Sequence, residues 1–187
     1  MAIAIGAKEN SFANPIGLMS DCHRRIEKFL GVLRQLAALQ GAEVGGRRLG
    51  AEEQTALAKA LAYFREAAPR HTADEEEDLF PLLRLEGRPG LAAALAQLQQ
   101  EHQEAAAWHE EVQELGYRWL AEGALPAGLA HRFAEIVTKL SEHYTGHMAL
   151  EEGEIFPLAQ AELDGETKEK IGRSMAARRG VAYGGRP

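Results

Sequence analysis

One phrase of the chain is written twice, and each copy places a glutamate four residues after a histidine. His71-Thr-Ala-Asp-Glu75-Glu-Glu-Asp-Leu79-Phe80-Pro81-Leu82 returns, 76 residues later, as His147-Met-Ala-Leu-Glu151-Glu-Gly-Glu-Ile155-Phe156-Pro157-Leu158. A lone histidine precedes each copy, His23 before the first and His102 before the second, and these two are 79 residues apart. The chain is therefore two consecutive versions of one unit, a segment with one His followed by a segment with His-x-x-x-Glu.

Helical periodicity gives that spacing a meaning. Residues i and i+4 stand on one face of a helix, one turn apart, so a His and a Glu so placed can point together into one small volume. The surrounding apolar residues say which way they point. A first segment, from about Pro15 to Gln40, carries the stripe Met19, Ile26, Leu30, Leu33 and Ala37, and His23 falls on it. A second starts near Ala51 and follows Leu57, Leu61, Phe64 and Ala68 into His71 and Glu75; Pro69 lies inside it, so a kink is expected just before the His. The third is the most regular: Leu95, Leu98, His102, Ala105, His109 and Val112 alternate steps of three and four. The fourth carries Phe133, Val137, Leu140, Tyr144, His147, Glu151, Ile155 and Leu158. A weaker helix is expected over 165–178.

Glycine and proline fall mostly between these segments, at 41–50, 87–90 and 123–126, and Ala, Leu, Glu, Gln and Arg are abundant. This is the balance of an all-α protein. Long helices with short connections make antiparallel neighbours, which predicts an up-down-up-down four-helix bundle with a short extra C-terminal helix.

A carboxylate on an inward stripe costs several kcal/mol unless it is paired or coordinated. Two such carboxylates, Glu75 and Glu151, and four imidazoles, His23, His71, His102 and His147, are explained together by cations held among them. Imidazole with carboxylate suits iron, manganese or zinc, and the lack of cysteine ligands argues against a structural zinc site or an iron–sulfur cluster. Six ligands are too many for one zinc ion but suit two octahedral metals bridged by carboxylates, roughly 3.5 to 4 Å apart. The alternative is a plain bundle in which the acidic run from Glu75 to Asp78 is solvated and the histidines are core residues; the duplication weighs against it.

These residues resemble the hemerythrin-like, or HHE cation-binding, family, over roughly residues 15 to 160. The resemblance implies a single domain spanning 1–187, with a core at 15–160 and a C-terminal helix and tail at 161–187. It implies a non-haem diiron centre with an oxo or hydroxo bridge, in which the six residues are ligands and the two glutamates bridge the irons; manganese or zinc could substitute. Two departures matter. Oxygen-carrying members have a second His one turn after the third-helix ligand, where this chain has Ala106. Their last carboxylate lies five residues after the fourth-helix His, whereas Glu151 lies four after His147. The chain thus looks like the broader bacterial branch, which binds or responds to O2, NO or peroxide; iron storage, delivery or repair of iron centres is the alternative.

Three histidines are left over. His143 reads as a rim residue, a donor behind the site or a fifth imidazole, His109 as core or channel lining, and His131 as surface. Tyr144 reads as core packing or as a hydrogen-bond partner for a bound small molecule. No Ser/His/Asp set or phosphate loop is present, so the balance is against an enzyme. The formal charge of -7 disfavours nucleic acid as a partner, and the basic residues Arg173, Arg178, Arg179 and Arg186 are too few to change that. No stretch approaches the ~20 apolar residues of a membrane span. The single cysteine, Cys22, and the absence of a signal-like pattern in residues 1–8 point to the cytoplasm.

Overall fold

The computed structural model describes residues 10–39, 47–85 and 87–184. Within them every regular element is helical: α1 (Pro15–Ala38), α2 (Ala51–Glu66), α3 (Ala68–Ala73), α4 (Pro89–Glu122), α5 (Ala127–Leu150), α6 (Phe156–Glu162) and α7 (Gly165–Arg178). Of the expected connection at 41–50, residues 41–46 lie outside the described residues, as do residues 1–8, Gln40 and Arg186. No helix among the described residues is long and apolar enough to cross a membrane.

The helix ends follow local chemistry. The Asn14 side chain accepts from the Gly17 N–H at the start of α1, with Pro15 in the first turn, where its missing N–H costs nothing. Asp164 does the same for α7, accepting from the Thr167 N–H at 2.8 Å. At the far end of α4, Gly123 takes φ 76°, the left-handed region that a residue without Cβ enters freely.

The four longest helices close a ring. α1 lies against α2 and α5, and α4 lies against the same two. α7 packs across α1 and the segment that follows α3. The helical chain breaks at Ala67, two residues before Pro69, as expected from the donor that proline lacks.

The sequence pattern did not announce two π-helical segments, Asp74–Leu79 and Glu151–Ile155. Each begins at or beside a glutamate of the duplicated phrase and ends just before Phe-Pro. In both, the phenylalanine N–H bonds five residues back, from Phe80 to the Glu75 carbonyl and from Phe156 to that of Glu151. Pro81 and Pro157 follow directly. A proline ring crowds the carbonyl four residues earlier, and a widened turn relieves that crowding. The extra residue shifts the apolar register by one. Leu158, expected on the inward stripe, is only half-buried and Ala159 takes its place; Leu82 is exposed while Leu83 is buried.

Among the described residues the apolar interior is two clusters rather than one. Ile26, Leu33, Leu61, Phe64, Val112, Trp119 and Phe133 belong to the first, and Phe12, Met19, Leu79, Leu98, Ile155 and Met175 to the second. Along α1 the chain passes from Met19 through His23 to Ile26, and along α4 from Leu98 through His102 to Ala105. Along the second segment it passes from Ala68 through His71 and Glu75 to Leu79. The histidines and glutamates thus occupy a polar layer between two hydrophobic plugs.

Candidate metal centre

All six residues named from the sequence reach this layer. His23, His71, Glu75, His147 and Glu151 are buried, and the His102 side chain is 8% exposed. They form two overlapping sets, His23, His71, Glu75, Glu151 and His102, His147, Glu75, Glu151, and in each set the possible ligand atoms lie within 4.8 Å of one another. Both glutamates belong to both sets. Glu75 turns Oε1 to His71 at 3.2 Å and to His23 at 3.7 Å, and turns Oε2 to His102 at 3.4 Å. Oε2 of Glu151 lies 3.1 Å from Nε2 of His23 and 3.3 Å from Nε2 of His147.

The polar atoms of this cradle face one another without being satisfied. Both carboxylate oxygens of Glu75, both of Glu151 and Nε2 of His23 are buried and lack a well-formed hydrogen bond among the described residues. Unpaired buried polar groups are rare because each costs a kcal/mol or more. Five in one layer, all oxygen or imidazole nitrogen, are what cations of intermediate hardness would satisfy.

The electrostatics of the layer show the same frustration. Burial, then the charge of Glu75, pushes the Glu151 carboxyl up to about 8. Burial works against protonated His23, but its contacts to Glu151 and Glu75 override it and raise the ring to about 10. His102, likewise opposed by burial, is raised to about 9 by Glu75 and Glu76. His71 moves the other way, to about 3, because burial dominates; Glu75 opposes the shift, and the neighbouring His23, His102 and His147 add to it. Glu75 stays below the usual carboxylate range despite its burial, held there by His71, His102 and His23.

Behind the inner six stands a set of carboxylates that the sequence reading passed over. Nδ1 of His23 meets Glu152 at 2.9 Å, Nδ1 of His102 meets Glu76 at 2.8 Å, and Nδ1 of His147 meets Glu101 at 2.9 Å. Such partners fix ring orientation and leave Nε2 to face the centre. The pattern is crossed. Glu76 follows Glu75 yet serves the histidine of the second half, and Glu152 follows Glu151 yet serves the histidine of the first. The signal was there, since a second glutamate follows the first in both copies of the phrase. Asp74 was also missed. It is wholly buried beside Glu75 and is met by Arg178, the last residue of α7, and by Arg179 just after it.

The remaining histidines stay outside both sets. Nε2 of His143 meets the Glu101 backbone carbonyl at 2.9 Å, which places His143 behind the layer rather than in it. His109 is buried, with Nε2 2.9 Å from the Tyr144 hydroxyl. His131 is exposed and pairs with Glu135. A cavity of about 330 Å³ opens between α2–α3 and α4, lined by Phe64, Ala68, Thr72, Ala106, His109 and Tyr144, and it reaches His102.

The duplicated His-x-x-x-Glu units, the helical ring and the paired clusters define a cation-binding helical domain. The family model described as "Hemerythrin HHE cation binding domain" matches residues 14–164, and the chain belongs to that family. It is also 27% identical over 168 residues to an uncharacterized protein of Haemophilus influenzae, covering 89% of this chain and 91% of that one. The buried His/Glu clusters and the family together point to a bound metal ion.

Proposed function

We propose that this protein is a non-haem diiron protein that binds or responds to a small molecule such as O2, NO or peroxide. In this reading the ring of α1, α2, α4 and α5 is an up-down-up-down bundle. His23 and His71 would hold one iron and His102 and His147 the other, with Glu75 and Glu151 available to both. The observation that carries it is the sharing of both glutamates by two separate histidine pairs. A mononuclear site would have no use for the second pair.

The iron would supply redox capacity and coordination positions open to a ligand. The protein supplies the rest. Three outer carboxylates orient imidazoles, the two apolar clusters exclude bulk water from the layer, and the cavity beside Ala106 gives a small molecule a way to His102. The residues at its outer rim, Arg65 and Glu110, carry opposite charges, so the entrance does not select strongly for an ion. Tyr144 and His109 line the same cavity and offer hydrogen bonds to an entering molecule.

The test is optical. Protein reconstituted anaerobically with ferrous iron is exposed in turn to O2, NO and hydrogen peroxide while its visible spectrum is recorded. A change with at least one of them is expected, and substitution of Ala106 by Phe, at the cavity wall, should slow it. A spectrum unmoved by all three would overturn the reading.

A further inference from the structure

The duplication is broken at one position that bears on the metals. Glu101 directly precedes His102; the matching residue before His23 is Cys22. Glu101 holds His147, the phrase histidine of its own half, through Nδ1 at 2.9 Å. It is itself fixed, since the Gln97 side-chain amide donates to its other carboxylate oxygen at 2.8 Å. The counterpart of His147 is His71. With Cys22 where a glutamate would stand, Nδ1 of His71 is buried and has no hydrogen-bond partner among the described residues. The Cys22 thiol is engaged by Arg25 and its carbonyl by the Tyr63 hydroxyl, and neither contact supports His71.

We infer that the two metal positions are unequal: the His102/His147 position is retained, and the His23/His71 position exchanges its metal. The inference rests on the two-metal reading above and adds which position is weak and why. Among the described residues, three of the four imidazoles are backed by a carboxylate and one is not. An outer carboxylate locks ring orientation and raises the basicity of the ligating nitrogen, and losing such a partner typically costs 10- to 100-fold in metal affinity. His102 and His147 both have one, in Glu76 and Glu101. On the other side only His23 does, in Glu152. Glu101 is therefore a positioning residue for the retained metal, and the exchangeable metal lies where the repeat lost its glutamate.

The experiment is a graded chelator titration of the protein loaded anaerobically with ferrous iron, with iron per chain measured at each point. Two steps separated by about tenfold or more are expected, with a plateau at one iron per chain. An anomalous difference map of crystals from the plateau should place the remaining iron beside His102 and His147. Glu101→Gln should move the second, tighter step toward the first by about tenfold while the first stays in place. Its metal-free denaturation midpoint is measured beside the titration: a merely structural role would shift that midpoint and leave both chelator steps in place. Loss of both irons in one step, a remaining iron beside His23 and His71, or a Glu101→Gln titration identical to the wild type would each overturn the inference. Failure to load two irons at all would instead overturn the two-metal reading, and is recognisable before any chelator is added.

Discussion

Replacing Glu151 by glutamine separates what folds this protein from what makes it bind metal. In the metal-free chain Glu151 is buried against Glu75 and its carboxyl is pushed up to about 8, whereas its ordinary value is 4.5. Between those limits the folded state holds a proton that the unfolded chain has released. Folding stability therefore falls as pH rises, by about 1.4 kcal/mol per unit. At pH 7 the lag from 4.5 amounts to about 3 kcal/mol. Glutamine keeps the shape and removes the charge. His23 then loses one of its two carboxylate partners and returns part of the gain, leaving a net stabilisation on the order of 2 kcal/mol. Urea denaturation of chelator-treated wild type and Glu151→Gln at pH 5, 6, 7 and 8 measures this directly. The variant should match the wild type at pH 5, exceed it at pH 7 and exceed it further at pH 8, and it should take up less iron. Equal stabilities at pH 7, or a gain that shrinks as pH rises, would refute the reasoning.

Further outcomes follow from other parts of the structure. Because His23 and His102 are raised to about 10 and 9 and carry protons at neutral pH, an entering cation must displace them. Metal affinity should rise from pH 6 to pH 8 and uptake should acidify a weakly buffered solution; pH-independent binding would contradict this. Arg179→Ala removes contacts of 2.6 and 3.1 Å to the buried Asp74 and should lower stability by about 1 to 3 kcal/mol in urea. At Gly172 an added Cβ would fall 1.9 Å from the Phe12 carbonyl oxygen, so Gly172→Ala should destabilise the packing of α7 by about 1 to 3 kcal/mol, while Gly31→Ala, with open space around it, should not destabilise. His143→Ala should keep the iron content that His147→Ala loses, as metal analysis of the two variants would show.

The helices, and the convergence of the inner six residues on one layer, were legible because each depends on local spacing. A stripe such as Leu95, Leu98, His102 and Ala105 states its buried face without reference to the rest of the chain, and the repeat then identifies which polar residues share that face. What stayed hidden depends on contacts across the bundle. Glu76 looked like one more member of a solvated acidic run, and only the packing of α4 against the second segment brings it to His102. Asp74 likewise depends on α7, whose arginines read as a basic tail until the fold returns them to the layer. The π-helical turns had a cue in the repeated Phe-Pro, but that cue also fits a simple bend, so the one-residue shift that exposes Leu82 and buries Leu83 was not foreseen.

The account stands or falls on how many cations the layer holds and where. Crystals of iron-reconstituted protein, measured at the iron absorption edge, should give two anomalous peaks per chain, both within reach of Glu75 and Glu151, one beside His23 and His71 and the other beside His102 and His147. A single peak, or iron found anywhere but between those glutamates, would contradict it.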